Sequence, residues 1–439
     1  MLHKSDVRER SGCMLCPRKC GADRENGQKG RCHADDKIRV ARAALHFWEE
    51  PCISGSDCAV HAENALHSAS VDAKRLRSAP ASAKCLLSAP VGAKRISTGY
   101  SAPRLNGSGA VFFSGCPLGC VFCQNRAISH GGIGTEITIE RLAEIFLELE
   151  EQGALNINLV TAGHYAPQVC TALRMAKKRG LDLPVVWNSS GYETVETLQM
   201  LDGLVDIYLP DLKYLDPTLA RLYSHAENYP EVAMAAIREM VRQQPQPRFE
   251  EDDAAAENAA KTMDNPGTAD DAKTTDNVKN MEETEDGECR MTAGVMVRHL
   301  LLPGHVREAK RVVLWLHETF GDRIYISLMN QYMPPGQIAE HENSGVNPRN
   351  MGAKEAPAEN MAVKDAAGNE TAVKNTYEKI ARPDPVFTRP VTKREYEWLL
   401  DYALQIGVTQ GFYQEGGTAA RSFIPAFDGT GVTKPGGGV

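Results

Sequence analysis

The chain has 439 residues, 42% of them hydrophobic and 24% charged, enough for one large domain or two ordinary ones with a sizeable core. No run of about 18 apolar residues occurs, which argues against a membrane-spanning helix. The net charge of −8 is local: residues 250–288 hold fourteen acidic groups against three lysines, so the rest of the chain lies near +3. No basic stripe interleaved with aromatics is present, so neither nucleic acid nor a membrane is an expected partner. The start, Met1-Leu2-His3-Lys4-Ser5-Asp6, lacks the apolar centre of a signal peptide, and a cytoplasmic location is expected. There the twelve cysteines would stay reduced. Seven of them form two groups. The others, Cys52, Cys58, Cys85, Cys170 and Cys289, are scattered and read as free thiols.

The first group is Cys13-x2-Cys16-x3-Cys20-x11-Cys32, with Gly21, Gly27 and Gly30 supplying turns. Four thiolates on one turn-rich segment predict a small knuckle around a closed metal site, either zinc or an iron–sulfur cluster. His33 reads as a bystander. The apolar run 38–48 is expected to pack on the main domain. Residues 56–106 carry an imperfect ten-residue repeat in which Ala-Lys recurs at 73–74, 83–84 and 93–94 and Ser-Ala-Pro at 78–80, 88–90 and 101–103. Units so short and small-sided bury no core, so this is expected to be a disordered insertion.

From residue 109 strands and helices alternate. Strands are expected at 109–113, 156–160, 183–187, 205–209, 294–302 and 324–329, and helices at 138–151, 167–178, 193–200, 218–223, 230–243, 307–319 and 393–406. Thr138 is placed to cap its helix, with Leu142, Ile145, Phe146 and Leu149 on one face. Polar stretches at about 245–291 and 337–379 interrupt the pattern as further insertions of disordered composition. The domain division is thus 1–55, a Cys-rich segment; 56–106, an insertion; and 107–439, the main domain. Repeated right-handed crossovers give an α/β fold, a doubly wound sheet or a barrel, with its site at the C-terminal ends of the strands.

The second cysteine group stands at the first of those ends. Ser114-Gly115-Cys116-Pro117-Leu118-Gly119-Cys120-Val121-Phe122-Cys123-Gln124-Asn125 places three thiols at C-x3-C-x2-C spacing directly after a buried strand. Three soft ligands on one loop suit three corners of an iron–sulfur cluster, with one iron left open; a zinc site completed by a distant residue is the competing reading.

This segment, with Phe122 just before the last cysteine, resembles the radical S-adenosylmethionine superfamily. Together with Gly12-Cys13, Cys16-Pro17-Arg18 and Cys20, it is similar to the branch related to pyruvate formate-lyase activating enzymes. The resemblance covers about 12–55, 107–243, 293–336 and 384–433. It implies a partial (β/α)6 TIM-like barrel, a [4Fe–4S] cluster on Cys116, Cys120 and Cys123, and S-adenosyl-L-methionine chelated to the open iron. Reductive cleavage would then release a 5′-deoxyadenosyl radical that abstracts hydrogen from a substrate, which in true activases is a glycine of a partner protein. It further implies a low-potential electron donor such as flavodoxin or ferredoxin. Cofactor contacts are expected from Phe122 and from the strand-end loops, at Gly163, His164, Asn188, Ser190, Asp211 and Lys213. The family's Gly-Gly-Glu-like turn reads Thr161-Ala162-Gly163-His164 here. Outside this resemblance two other functions fit two cysteine groups: a zinc-binding interaction protein, and an iron–sulfur electron carrier.

Overall fold

The computed structural model describes residues 12–55, 107–130, 132–250, 290–334, 385–414 and 425–434, with a short ladder at 363–364 and 370–371. The insertion at 56–106, nearly all of that at 245–291, and all but the short ladder of that at 337–379 lie outside the described residues, as do Cys58, Cys85 and Cys289.

The strands are β1 (Ile38–His46), β2 (Ser108–Phe113), β3 (Thr135–Ile137), β4 (Ile157–Val160), β5 (Val185–Ser189), β6 (Ile207–Pro210), β7 (Arg248–Phe249), β8 (Met291–Leu300), β9 (Tyr325–Met329), β10 (Val363–Lys364), β11 (Glu370–Thr371) and β12 (Gly411–Tyr413). The helices are α1 (Pro51–Ser54), α2 (Arg126–Ser129), α3 (Ile139–Glu151), α4 (Ala166–Lys178), α5 (Val195–Gln199), α6 (Pro217–Ser224), α7 (Tyr229–Gln243), α8 (Val306–Phe320) and α9 (Lys393–Gln405). One sheet runs β12-β9-β8-β6-β5-β4-β2-β1-β3, with β7 paired to β8. From β2 to β12 every step along that order is parallel. The order does not close on itself, so the architecture is the expected α/β fold, a partial TIM-like barrel.

Sequence explains most of this. Buried runs such as Ala110-Val111-Phe112-Phe113 suit parallel strands covered on both faces. The Thr138 hydroxyl caps α3 by accepting from Arg141 N at 3.1 Å, and Leu142, Ile145, Phe146 and Leu149 are buried. One face of the sheet packs against the helices in the main core, which includes Val111, Leu159, Trp187 and Val297. The other face alternates with it. It carries two smaller apolar clusters, one with Val186, Leu209 and Met296, the other with Ala110, Phe112 and Val160.

The run 38–48 does more than pack on this domain. Residues 38–46 form β1, which pairs antiparallel with β2 in the register Ala43↔Val111 and Leu45↔Gly109, and with β3 beyond its bulge. Residues 425–434 lie along β1 in turn, through Ala43 N to Thr430 O at 2.9 Å and Gly429 N to Ala41 O at 3.0 Å. Gly431 is required there, since a Cβ would fall 2.0 Å from Ala43 O and its φ is +72°.

Candidate functional site

Cys116, Cys120 and Cys123 sit on one turn at the C-terminal end of β2. Gly115 has φ +91°, and a Cβ there would lie 2.4 Å from Cys32 O; without one, Cys116 N donates to that carbonyl at 3.2 Å. Val121 N is held by Tyr223 O at 2.9 Å. Cys120 Sγ lies 3.0 Å from Ser224 Oγ, and Ser129 Oγ donates to Cys123 Sγ at 3.4 Å. Burial pushes the Cys116 thiol up to about 12, with Cys120 and Cys123 adding to the rise. Burial takes Cys120 to about 11, against the pull of Lys213. Neutral thiols are therefore favoured until a cation offsets the cost of thiolate charge. Among the described residues no three His, Cys, Asp or Glu side chains are already closed to metal-binding geometry.

The other expected site residues divide. Lys213 Nζ and Asp211 Oδ2 pair at 2.6 Å. Burial opposes the Lys213 charge, but Asp211, then Cys120 and Tyr229, outweigh it and raise its pKa. An ammonium thus stands beside the cysteine loop. Gly163 and His164 lie in the turn Gly163–Tyr165 after β4. His164 Nε2 donates to Ser114 O at 2.8 Å, while its Nδ1 is buried with no partner. Burial lowers this imidazole to about 4, so it is neutral. Phe122 is 6% exposed, its ring against Phe387 at 6.3 Å and Tyr214 at 6.4 Å. The Ser190 carbonyl accepts from Tyr229 Oη at 2.9 Å.

Asn188 is held by a neighbouring side chain. Its amide donates to Glu49 Oε1 at 3.3 Å, inside a polar layer on the inner face of the sheet. Asn158 Nδ2 donates to the same oxygen at 3.0 Å. Arg298 Nε donates to Glu50 Oε1 at 2.9 Å, and its Nη2 reaches both Glu49 and Glu50. Burial opposes the Arg298 charge, yet the two carboxylates hold its pKa above the usual range, and Arg298 holds Glu49 below its own against burial. Below this layer α1 is fixed across the inner face by Asn156 Nδ2 donating to Ile53 O at 2.6 Å.

Glu193 was not expected from the sequence. It is buried behind Gly163, with Oε1 3.3 Å from where a Gly163 Cβ would stand, and accepts from Ser189 Oγ at 3.0 Å. Burial, reinforced by Asp211, raises its carboxyl to about 7. An acidic residue in a strand-end loop was the available signal.

Arg18 stands in the sequence only as part of the Cys16-Pro17-Arg18 motif, with no contact expected of it. Its guanidinium leaves the first cysteine segment and binds four carbonyls: Pro117 at 2.8 Å, Leu118 at 3.1 Å, Ser224 at 3.0 Å, and His225. It also lies over the Tyr192 ring at 5.3 Å. Arg24 ties the same segment to the turn after β4, donating to His164 O at 2.7 Å.

Residues 110–245 match the family model described as the Radical SAM superfamily. An uncharacterized protein of Methanocaldococcus jannaschii, MJ0674, is 33% identical over 129 residues, which are 28% of this chain and 38% of that protein. Among solved structures, the crystal structure of Streptococcus suis SuiB bound to precursor peptide SuiA is similar at a TM-score of 0.35 and 12% identity. It matches over 69% of this chain and 46% of that one. The chain thus spans well under two thirds of the length of either relative.

Proposed function

With a radical SAM domain at residues 110–245 as the premise, we propose that the protein uses a [4Fe–4S] cluster on Cys116, Cys120 and Cys123 to cleave S-adenosyl-L-methionine and abstract hydrogen from a substrate. The observation that carries this reading is the thiol triad itself, three sulfurs on one turn at the C-terminal end of β2 with no fourth cysteine on that turn. The donor set fits the group: three soft ligands leave one iron open, and the bound pair supplies one-electron cleavage of the sulfonium.

The chain's own residues have separable tasks. Ser224 and Ser129 donate to the Cys120 and Cys123 sulfurs once these are thiolate, and such bonds tune a cluster's potential. The Lys213 ammonium offsets negative charge beside Cys120. Phe122, Tyr214, Tyr223 and Phe387 pack edge to face, stacked and tilted behind the loop and exclude water from it. Asp211 and the turn Gly163–Tyr165 adjoin the loop and are assigned to orienting the cofactor, as are Asn188 and Ser190 on the neighbouring strand end. The electron comes from a low-potential flavodoxin or ferredoxin in the cytoplasm. The similarity to activating enzymes makes a backbone glycine of a protein partner the first substrate to test.

Anaerobic reconstitution with iron and sulfide, then S-adenosyl-L-methionine and a low-potential reductant, tests the reading. A cluster chromophore and 5′-deoxyadenosine are expected. A chromophore without 5′-deoxyadenosine would leave an electron carrier, and the absence of both would leave the zinc-binding alternative.

A further inference from the structure

The first cysteine group plays no part in that chemistry, yet it is built against the loop that does. We propose that Cys13, Cys16, Cys20 and Cys32 bind a single soft cation, zinc, and that this ion orders the 116–123 loop through Arg18 and Cys32.

The backbone gathers the four residues. Cys13 is paired to the far side of the segment by Cys13 N to Ala22 O at 2.9 Å and Gly21 N to Cys13 O at 3.1 Å. Lys19 N closes a turn on Cys16 O at 2.9 Å. Gly30 brings the backbone close to two of the sulfurs: a Cβ there would lie 3.1 Å from Cys20 Sγ and 3.5 Å from Cys32 Sγ. Each sulfur swings on one χ1 bond, so backbone placement decides whether the thiols can converge. Between residues 12 and 37 the only helical turn is the three residues Arg24–Asn26, and no strand occurs. A segment that short on regular structure commonly takes its stability from a bound metal. Charge fits as well. Four thiolates on a divalent ion leave −2, and Arg24 Nη1 stands 3.9 Å from Cys13 Sγ while Lys19, Lys29 and Arg31 are exposed on the same segment. A closed four-thiolate site with no open position is the structural zinc pattern.

The coupling follows from where the ligands sit. Arg18 lies between Cys16 and Cys20 and holds the carbonyls of Pro117 and Leu118 on the loop and those of Ser224 and His225 behind it. Cys32, itself a ligand, accepts from Cys116 N. An ion that fixes Cys16, Cys20 and Cys32 thereby fixes both attachments.

The ion site does not rest on the proposed radical chemistry, and its test avoids it. The full-length chain carrying Cys116→Ala, Cys120→Ala and Cys123→Ala is titrated with Zn²⁺ against a chromophoric chelator. One equivalent should bind, and Cys13→Ser with Cys20→Ser should abolish it. No uptake, or uptake that survives those two changes, overturns the site; a four-iron chromophore in the triple variant overturns the single ion. For the coupling, zinc should slow hydrogen exchange at the Val121 amide by about tenfold or more in the otherwise native chain, and Arg18→Gln should remove that protection while leaving zinc bound. Equal exchange with and without zinc overturns it. Arg18→Lys, which keeps the charge but not the fork, should give intermediate protection.

Discussion

The two cysteine groups reach their geometry by opposite routes. Cys116, Cys120 and Cys123 follow a fully buried strand, and helices and aromatic rings close around them; Cys120 is 6% exposed. Cys13, Cys16, Cys20 and Cys32 lie on a segment of turns, with Cys20 at the surface. The first trio stands at the end of a buried strand against the packed core. The knuckle is held by short turns, two arginine tethers and a few further hydrogen bonds, such as Thr197 Oγ1 to Leu15 O at 2.6 Å and Cys116 N to Cys32 O at 3.2 Å. A catalytic cluster needs an open position in a rigid wall, and a structural ion needs only to be enclosed by its own ligands. The contrast is why the proposals above give chemistry to the loop and support to the knuckle.

The largest effect that sharpens this division is on turnover. Replacing Cys116, Cys120 and Cys123 by Ala should reduce 5′-deoxyadenosine formation to the uncatalysed background, measured after anaerobic reconstitution. If substitutions at Cys13 and Cys16 alone abolished the product while the trio's did not, the division would be reversed.

The second effect tests whether the fold beneath the loop is self-supporting. Arg298 joins Glu49 and Glu50 where the three side chains are only 11%, 8% and 8% exposed. Arg298→Met leaves two buried carboxylates without their cation, a change that costs about 3–5 kcal/mol. Denaturant unfolding of the metal-free chain should show that loss. A variant within about 1 kcal/mol of wild type would mean that water already solvates the layer.

The third effect depends on pH. The Glu193 carboxyl rises from 4.5 to about 7 on folding, so between those values the native state keeps a proton that the unfolded chain has lost. Stability therefore falls as pH climbs through that window and stays lower above it. At about 1.4 kcal/mol per unit the cost is on the order of 3 kcal/mol. Glu193→Gln, which mimics the protonated group, should match wild type near the acid end and exceed it by up to that amount at about pH 8. Parallel curves across the window would show Glu193 to be solvated.

How far the sequence revealed these features depends on the range of the interaction. The cysteine spacing, the Thr138 cap and the buried strands are local patterns, and each expected strand of the parallel run lies within a few residues of its observed place. The strand at 411–413 is not among the expected ones, because three residues carry too little periodicity to declare a seventh parallel strand. The role of Arg18 was invisible for a different reason. Its partners are backbone carbonyls about 100 and 206 positions away, and a carbonyl leaves no trace in residue identity. The Glu49, Glu50 and Arg298 layer likewise joins residues nearly 250 apart. For Asn188, alternation along β5 decides which face the side chain takes, but not that Glu49, 139 positions away, receives its amide.

The smallest effect bears on the rigid side of the comparison. Ser224, the last residue of α6, puts its hydroxyl 3.0 Å from both Cys120 Sγ and Tyr214 Oη. One rotor thus joins the loop to the aromatic wall behind it. Ser224→Ala removes no packing of consequence but leaves the buried Tyr214 hydroxyl and the Cys120 thiol each short of a partner, at a cost of about 1–2 kcal/mol. Thermal unfolding of the metal-free protein should register that loss. In the reconstituted protein the same change withdraws a donor from a cluster ligand and should lower the midpoint potential, which separates a tuning role from a packing one. An unchanged potential with reduced stability would make Ser224 part of the wall alone, and the rigidity of the loop would then rest on Arg18 and the Val121 amide.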